Sequence, residues 1–181
     1  MNKKSLAINF ERAKIFADSR VSAFTLYIHI ALETGLRVGD ILKLKKIDFF
    51  KENESCYVKF IAQKTRKKAI RPISIKTYNL VQSCSHTDVF RNDKYSCTYS
   101  KTWVNRNLRK HFKIDYERAK NKGYNLSSHS FRKASGLLVY ENNGLDVARD
   151  FLQHSSYDTT KAYLELEEAE LNERLIKTFN F

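Results

Sequence analysis

Two short runs rich in β-branched and aromatic residues, Cys56–Ala62 and Ile70–Ile75, flank the basic stretch Lys64-Thr-Arg-Lys-Lys, and elsewhere apolar residues recur at helical spacing. This pattern restricts the fold to a mainly helical α+β body with one small antiparallel sheet. Pro72 brings no amide hydrogen to a ladder and suits an edge strand. Val21, Phe24, Ile28, Ala31 and Leu32 mark a core-facing helix that Gly35 ends, and Gly39–Leu44 reads as a short second helix with Asp40 near its start. Lys76–Gln82 is a further short helix, Ser83–Tyr99 has no sustained period and reads as loop, and a helix from about Lys101 carries Trp103, Val104, Leu108 and Phe112. Ser127 or Ser128 caps a helix ending near Gly144, Asp146–Gln153 makes another, and Asp158 or Thr159 starts the next. A last helix, about Glu167 to Phe179, has Leu171, Leu175, Ile176 and Phe179 on one side.

A chain of 181 residues that is 42% hydrophobic is too apolar for a disordered segment and long enough to bury one core, so a single domain over residues 1–181 is expected. Its formal charge of +13 favours a polyanion, with nucleic acid first among them. No run approaches the roughly 20 apolar residues of a spanning helix, and the polar start Met1-Asn2-Lys3-Lys4 lacks the apolar centre of a signal peptide. The chain reads as soluble and cytoplasmic, with no membrane partner. Cys56, Cys84 and Cys97 fit neither a disulfide framework nor a C-x-x-C zinc site, and with no metal-ligand cluster or Gly-rich phosphate loop no cofactor is expected.

The residues that carry chemistry come in order. Thr34-Gly35-Leu36-Arg37 closes the first core helix, Lys64 lies in the turn between the strands, and His129-Ser130-Phe131-Arg132 opens a later helix. Leu152-Gln153-His154 follows, with Tyr163 nine residues after His154. In this order and spacing the set resembles the catalytic signature of the tyrosine recombinases, the family of phage integrases, over roughly Ala23 to Tyr163. Gln153 departs from the pattern, since glycine is usual there, and this bears on turn geometry more than on chemistry.

The resemblance implies the recombinase catalytic-domain fold and a site-specific recombinase that breaks and rejoins DNA through a 3′-phosphotyrosyl link to Tyr163. Displacement at a phosphodiester needs a nucleophile, cations on the non-bridging oxygens and a proton for the leaving alkoxide. Arg37 and Arg132 suit the second task, because a guanidinium stays charged and can donate two parallel hydrogen bonds to phosphate. By resemblance, Lys64 is the general acid, with Arg66, Lys67 and Lys68 as close rivals. His129 shuttles or holds the tyrosine proton, and His154 donates to a phosphate oxygen. Asp40 either orients an active-site arginine or histidine or is an ordinary helix N-terminal charge.

Double-stranded DNA is the expected partner. Lys59–Lys76 contains seven basic residues and no acid, so Arg66, Lys67 and Lys68 are expected to line the duplex, as is the basic helix from Lys101. Ser100, Lys101, Asn105, Arg106 and Lys133 are further candidate DNA contacts. Binding that rests on phosphates should weaken with salt, with a log–log slope of roughly 0.9 per phosphate neutralised. The closing helix is expected to couple protomers in a homotetramer on DNA, the chain being monomeric without it. An N-terminal helical clamp domain is expected to be absent, leaving either a fragment or a short single-domain form. The rival readings are a type IB topoisomerase, a non-catalytic DNA-binding regulator with the same fold, and a generic basic nucleic-acid-binding domain.

Overall fold

A three-stranded antiparallel sheet of β1 (Phe49–Glu52), β2 (Ser55–Ile61) and β3 (Lys68–Ile73) stands where the sequence alone indicates two strands. In the β2–β3 register Cys56 faces Ile73, and Cys56, Val58 and Phe60 are buried while the alternate residues of β2 are not. Pro72 lies on β3, an edge strand, as its missing amide hydrogen requires. The computed structural model describes residues 4–166 and Ile176. They fall into two compact units that divide between Ser135 and Gly136, each with its own buried apolar cluster, where composition leads one to expect a single core.

In the first unit, α1 (Phe10–Asp18) packs on α2 (Ala23–Thr34), and the fully buried Ala13 and Ala17 allow close approach. Ser22 starts α2 through a reciprocal cap: its Oγ accepts from Thr25 N–H while Thr25 Oγ1 accepts from Ser22 N–H. Val21 is therefore outside the helix and 82% exposed, which corrects its expected place in the core. Next come α3 (Val38–Ile41) and, after the sheet, α4 (Ile75–Gln82). Within the stretch read as loop, β4 (Arg91–Asn92) pairs with β5 (Cys97–Thr98). Then follow α5 (Lys101–His111) and α6 (Lys113–Asn121), where Asp115 is buried and accepts from Arg12 of α1 at 3.2 Å. Phe24, Tyr27, Trp103, Phe112 and Phe131 form an edge-on aromatic network at the centre of this unit.

The long α7 (Ser128–Leu152) enters the second unit at Gly136 and is interrupted at Gly144, whose φ of 83° and ψ of 179° are not helical. This is the place where sequence indicates that one helix ends and another begins. In the second unit α8 (Tyr157–Leu164) is capped by Ser156 Oγ on Thr159 N–H, and Ala148, Leu152 and Leu164 are buried together. Among the described residues no helix is long and apolar enough to cross a membrane. Apart from Ile176, the expected closing helix and its role between protomers lie outside the described residues.

Candidate active site

The Thr34-Gly35-Leu36-Arg37 turn has a physical reason at each position. Thr34 Oγ1 donates to the Ile30 carbonyl at 2.5 Å and accepts from Leu36 N–H at 3.3 Å. Gly35 takes the left-handed conformation (φ 61°) that glycine adopts without steric cost. Leu36 plugs into the core, and Arg37, half-buried, turns extended to precede α3. The last carbonyls of a helix lack partners within it, and here Arg132 supplies one: its Nη1 donates to the Gly35 carbonyl. Arg132 is only 3% exposed. By contrast, the buried Arg37 Nη1 has no hydrogen-bond partner among the described residues.

His129 lies in the first turn of α7, whose start is fixed from two sides. Ser127 Oγ accepts from His129 N–H at 3.2 Å, and Asn105 Oδ1 of α5 accepts from Ser128 N–H at 2.9 Å. Burial holds the His129 imidazole below its ordinary pKa of 6.5, and the charges of Lys101, Arg132 and Arg37 push the same way. His129 is thus neutral at pH 7 and able to take up a proton. The shift also has a stability consequence. The unfolded chain protonates this histidine as pH falls below about 6.5, whereas the folded one resists, so its contribution is complete above that pH and is lost on acidification towards the lowered value. His29 and His111 are lowered by burial as well. Melting temperature should fall from pH 7 to pH 5, and His129→Gln should flatten part of that dependence; an unaltered slope would place the acid sensitivity elsewhere.

Lys64 is exposed in the six-residue loop between β2 and β3, which is closed by Ala62 N–H to the Lys67 carbonyl (3.0 Å) and Arg66 N–H to the Ala62 carbonyl (2.8 Å). Arg66 (φ 58°), Lys67 and Lys68 are exposed beside it. Asp40 lies in the first turn of α3, one of the two places open to it from sequence, and its Oδ1 accepts the N–H of Gln63, next to Lys64, at 3.1 Å. Of the candidate DNA contacts, Lys101 and Arg106 are exposed on α5. Ser100 caps α5 by accepting from Trp103 N–H at 3.2 Å, and Asn105 spends its carbonyl oxygen on α7. Lys133, like Arg132 before it, is buried, at 4% exposure.

In the second unit, Gln153 N–H bonds the Asp150 carbonyl and His154 N–H the Arg149 carbonyl, with Gln153 left-handed at φ 52°. This paired ending is the motif in which glycine is preferred, which accounts physically for the departure noted at Gln153. Gln153→Gly should relieve the Cβ strain and raise stability by about 0.5 kcal/mol after the added entropy of the unfolded chain. A lower melting temperature would count against that account. His154 Nδ1 lies 3.2 Å from Thr160 Oγ1, and its ring meets Tyr163 edge-on with centroids 5.2 Å apart.

A family model described as "Phage integrase family" matches residues 11–170. The chain belongs to the phage integrase family. A "Probable integrase/recombinase" of Acholeplasma phage L2 is 27% identical over 143 residues, covering 77% of this integrase-family chain and 47% of the relative. Among solved structures, XerH site-specific recombinase bound to difH substrate aligns with a TM-score of 0.73 at 19% identity, over 97% of this chain and 55% of that one. XerA recombinase gives 0.71 at 18%, over 98% and 66%. A lambda integrase dimer bound to a COC′ core site gives 0.68 at 19%, over 91% and 49%. The fold is that of tyrosine recombinase catalytic domains, and the chain spans about half the length of the curated relative it matches. Gln63 and Asn105 in its helix-capping role are the features that sequence reasoning missed, because each acts across 23 residues with no local signal.

Proposed function

We propose that this chain cleaves and rejoins DNA as the catalytic part of a site-specific recombinase, with Tyr163 as nucleophile. The observation that carries the reading is Arg37 Nη1, a buried cationic donor with no acceptor among the described residues, in the unit that also holds Arg132 and a neutral His129. Leaving such a donor unsatisfied costs about 1–3 kcal/mol, and a non-bridging phosphate oxygen is the acceptor its charge and fork geometry suit.

In the proposed reaction Tyr163 Oη bonds to phosphorus as the P–O5′ bond breaks. The tyrosine proton passes to neutral His129, and Lys64 gives a proton to the departing O5′. The products are a 3′-phosphotyrosyl link and a free 5′-hydroxyl, and attack by another 5′-hydroxyl reverses the step, so the bond energy is kept without a nucleotide cofactor. Thr160 Oγ1 donates its hydrogen to the Ser156 carbonyl at 3.1 Å, so towards His154 it acts as acceptor for Nδ1–H. That leaves His154 Nε2 as the ring nitrogen proposed to meet a phosphate oxygen. DNA is the proposed partner, in keeping with the exposed Lys101, Arg106, Lys67 and Lys68, and assembly into a tetramer on DNA belongs to the same proposal.

The test is covalent capture. The chain is incubated with a library of nicked duplexes of randomised sequence, in which a short strand diffuses away after cleavage, and the products are run on a denaturing gel. An adduct whose DNA-linked peptide contains Tyr163 supports the enzyme. Stable binding without any adduct, across the recovered duplexes, would give the chain to the regulator reading.

A further inference from the structure

Gln63 holds the loop that carries Lys64 by two bonds to one short helix. Its backbone N–H donates to Asp40 Oδ1 at 3.1 Å, and its side-chain Nε2 donates to the Gly39 carbonyl at 3.0 Å. Gly39 and Asp40 belong to α3, which Arg37 immediately precedes, and Asp40 is 6% exposed and so fixed in the interior. One hydrogen bond leaves a hinge, whereas two bonds at separate points set position and direction. The other loop bonds, between Ala62 and Lys67 and between Ala62 and Arg66, are internal to the hairpin. They give the loop its shape and say nothing of where it lies against α3.

We propose that Gln63 is a positioning residue that locks the Lys64 loop to the Arg37 turn, so that the ammonium and the guanidinium address the same phosphodiester. The inference rests on the reading of Lys64 as general acid. In that step the Tyr163 Oη–P bond forms, the P–O5′ bond breaks, and the proton from Lys64 Nζ goes to O5′, leaving a neutral amine that recovers the proton on religation. Misplacement of a reacting group by about 1 Å can cost ~10²-fold in rate, so loss of one of the two bonds should cost about tenfold. Gln63 is exposed, and its replacement by alanine removes the side-chain bond while leaving the backbone one.

A purely structural role and a role in protonating O5′ separate on a substrate that needs no acid. The probe is the duplex recovered by covalent capture, resynthesised with sulfur in place of the bridging 5′ oxygen, because a thiolate departs without a proton. Cleavage by the full chain is timed on the oxygen and sulfur duplexes for the wild type, Gln63→Ala and Lys64→Ala, with melting curves for each. The expected result is Gln63→Ala about tenfold slow on the oxygen duplex and within about twofold of wild type on the sulfur duplex, with Lys64→Ala rescued in the same way. Rescue of Lys64→Ala without rescue of Gln63→Ala overturns the positioning role alone, as does a Gln63→Ala chain that is not slowed. Failure of sulfur to rescue Lys64→Ala overturns the acid assignment and the positioning role with it.

Discussion

A Tyr163→Phe chain is expected to bind DNA as the wild type does but to give no covalent adduct. The edge-on contact between the Tyr163 ring and His154, centroids 5.2 Å apart and planes at 80°, is kept by phenylalanine, so this ring packing survives the loss of the hydroxyl. The ten tyrosines make a substitute nucleophile the obvious objection. Tyr157 is the nearest in sequence, at the start of the same α8, with the Arg149 guanidinium 4.5 Å from its ring centre. Tyr157→Phe should therefore leave adduct formation intact. An adduct that survives in Tyr163→Phe would remove this residue from the mechanism. Denaturing gels for the adduct, mobility shifts for binding and thermal melts for the fold together decide it.

The second large effect separates two arginines that the sequence presents as equals. Arg132→Ala should lower both stability and cleavage, because its guanidinium is buried on the Gly35 carbonyl and its removal strands that carbonyl and opens space around it. About 2 kcal/mol is expected, or roughly 4–8 °C in melting temperature for a chain of this size. Arg37→Ala should not lower stability and should raise it by up to about 1–3 kcal/mol, since it removes a buried donor that has no hydrogen bond to lose. Cleavage should fall at least ~10²-fold in both, by analogy with the loss of an oxyanion donor. Equal melting temperatures for the two variants would show that the division of labour is wrong, and an Arg37→Ala chain that still cleaves at the wild-type rate would free Arg37 of its phosphate.

The sequence carries the ordered frame because several of its residues sit at places where backbone geometry restricts residue choice. Thr34 back-bonds, Gly35 turns left-handed and Leu36 anchors, so Arg37 is announced by its neighbours. Helices with a continuous apolar stripe were equally plain, as at α2 and α5. What escaped notice lacks such a stripe. The buried members of α6 are Asp115 and Ala119, an ion-paired acid and a methyl group, and those of α1 are two alanines. The four residues of β1, two aromatic and two charged, are too short to alternate convincingly. Val21 falls on the apolar period of α2 because a helical period extends as easily outward as inward, and only the Ser22–Thr25 cap fixes the boundary. Lys133 adjoins Arg132 in sequence, which says nothing of which side of α7 it occupies.

The cap that α5 gives to α7 has a kinetic meaning. The Ser128 amide hydrogen is held by a side chain 23 residues earlier, not by a residue of its own helix. That hydrogen can exchange with solvent only when Asn105 withdraws, so the exchange rate of a single peptide group follows the local opening that also loosens the turn bearing His129. Exchange at Ser128 should therefore report how firmly the basic α5 holds the first turn of α7.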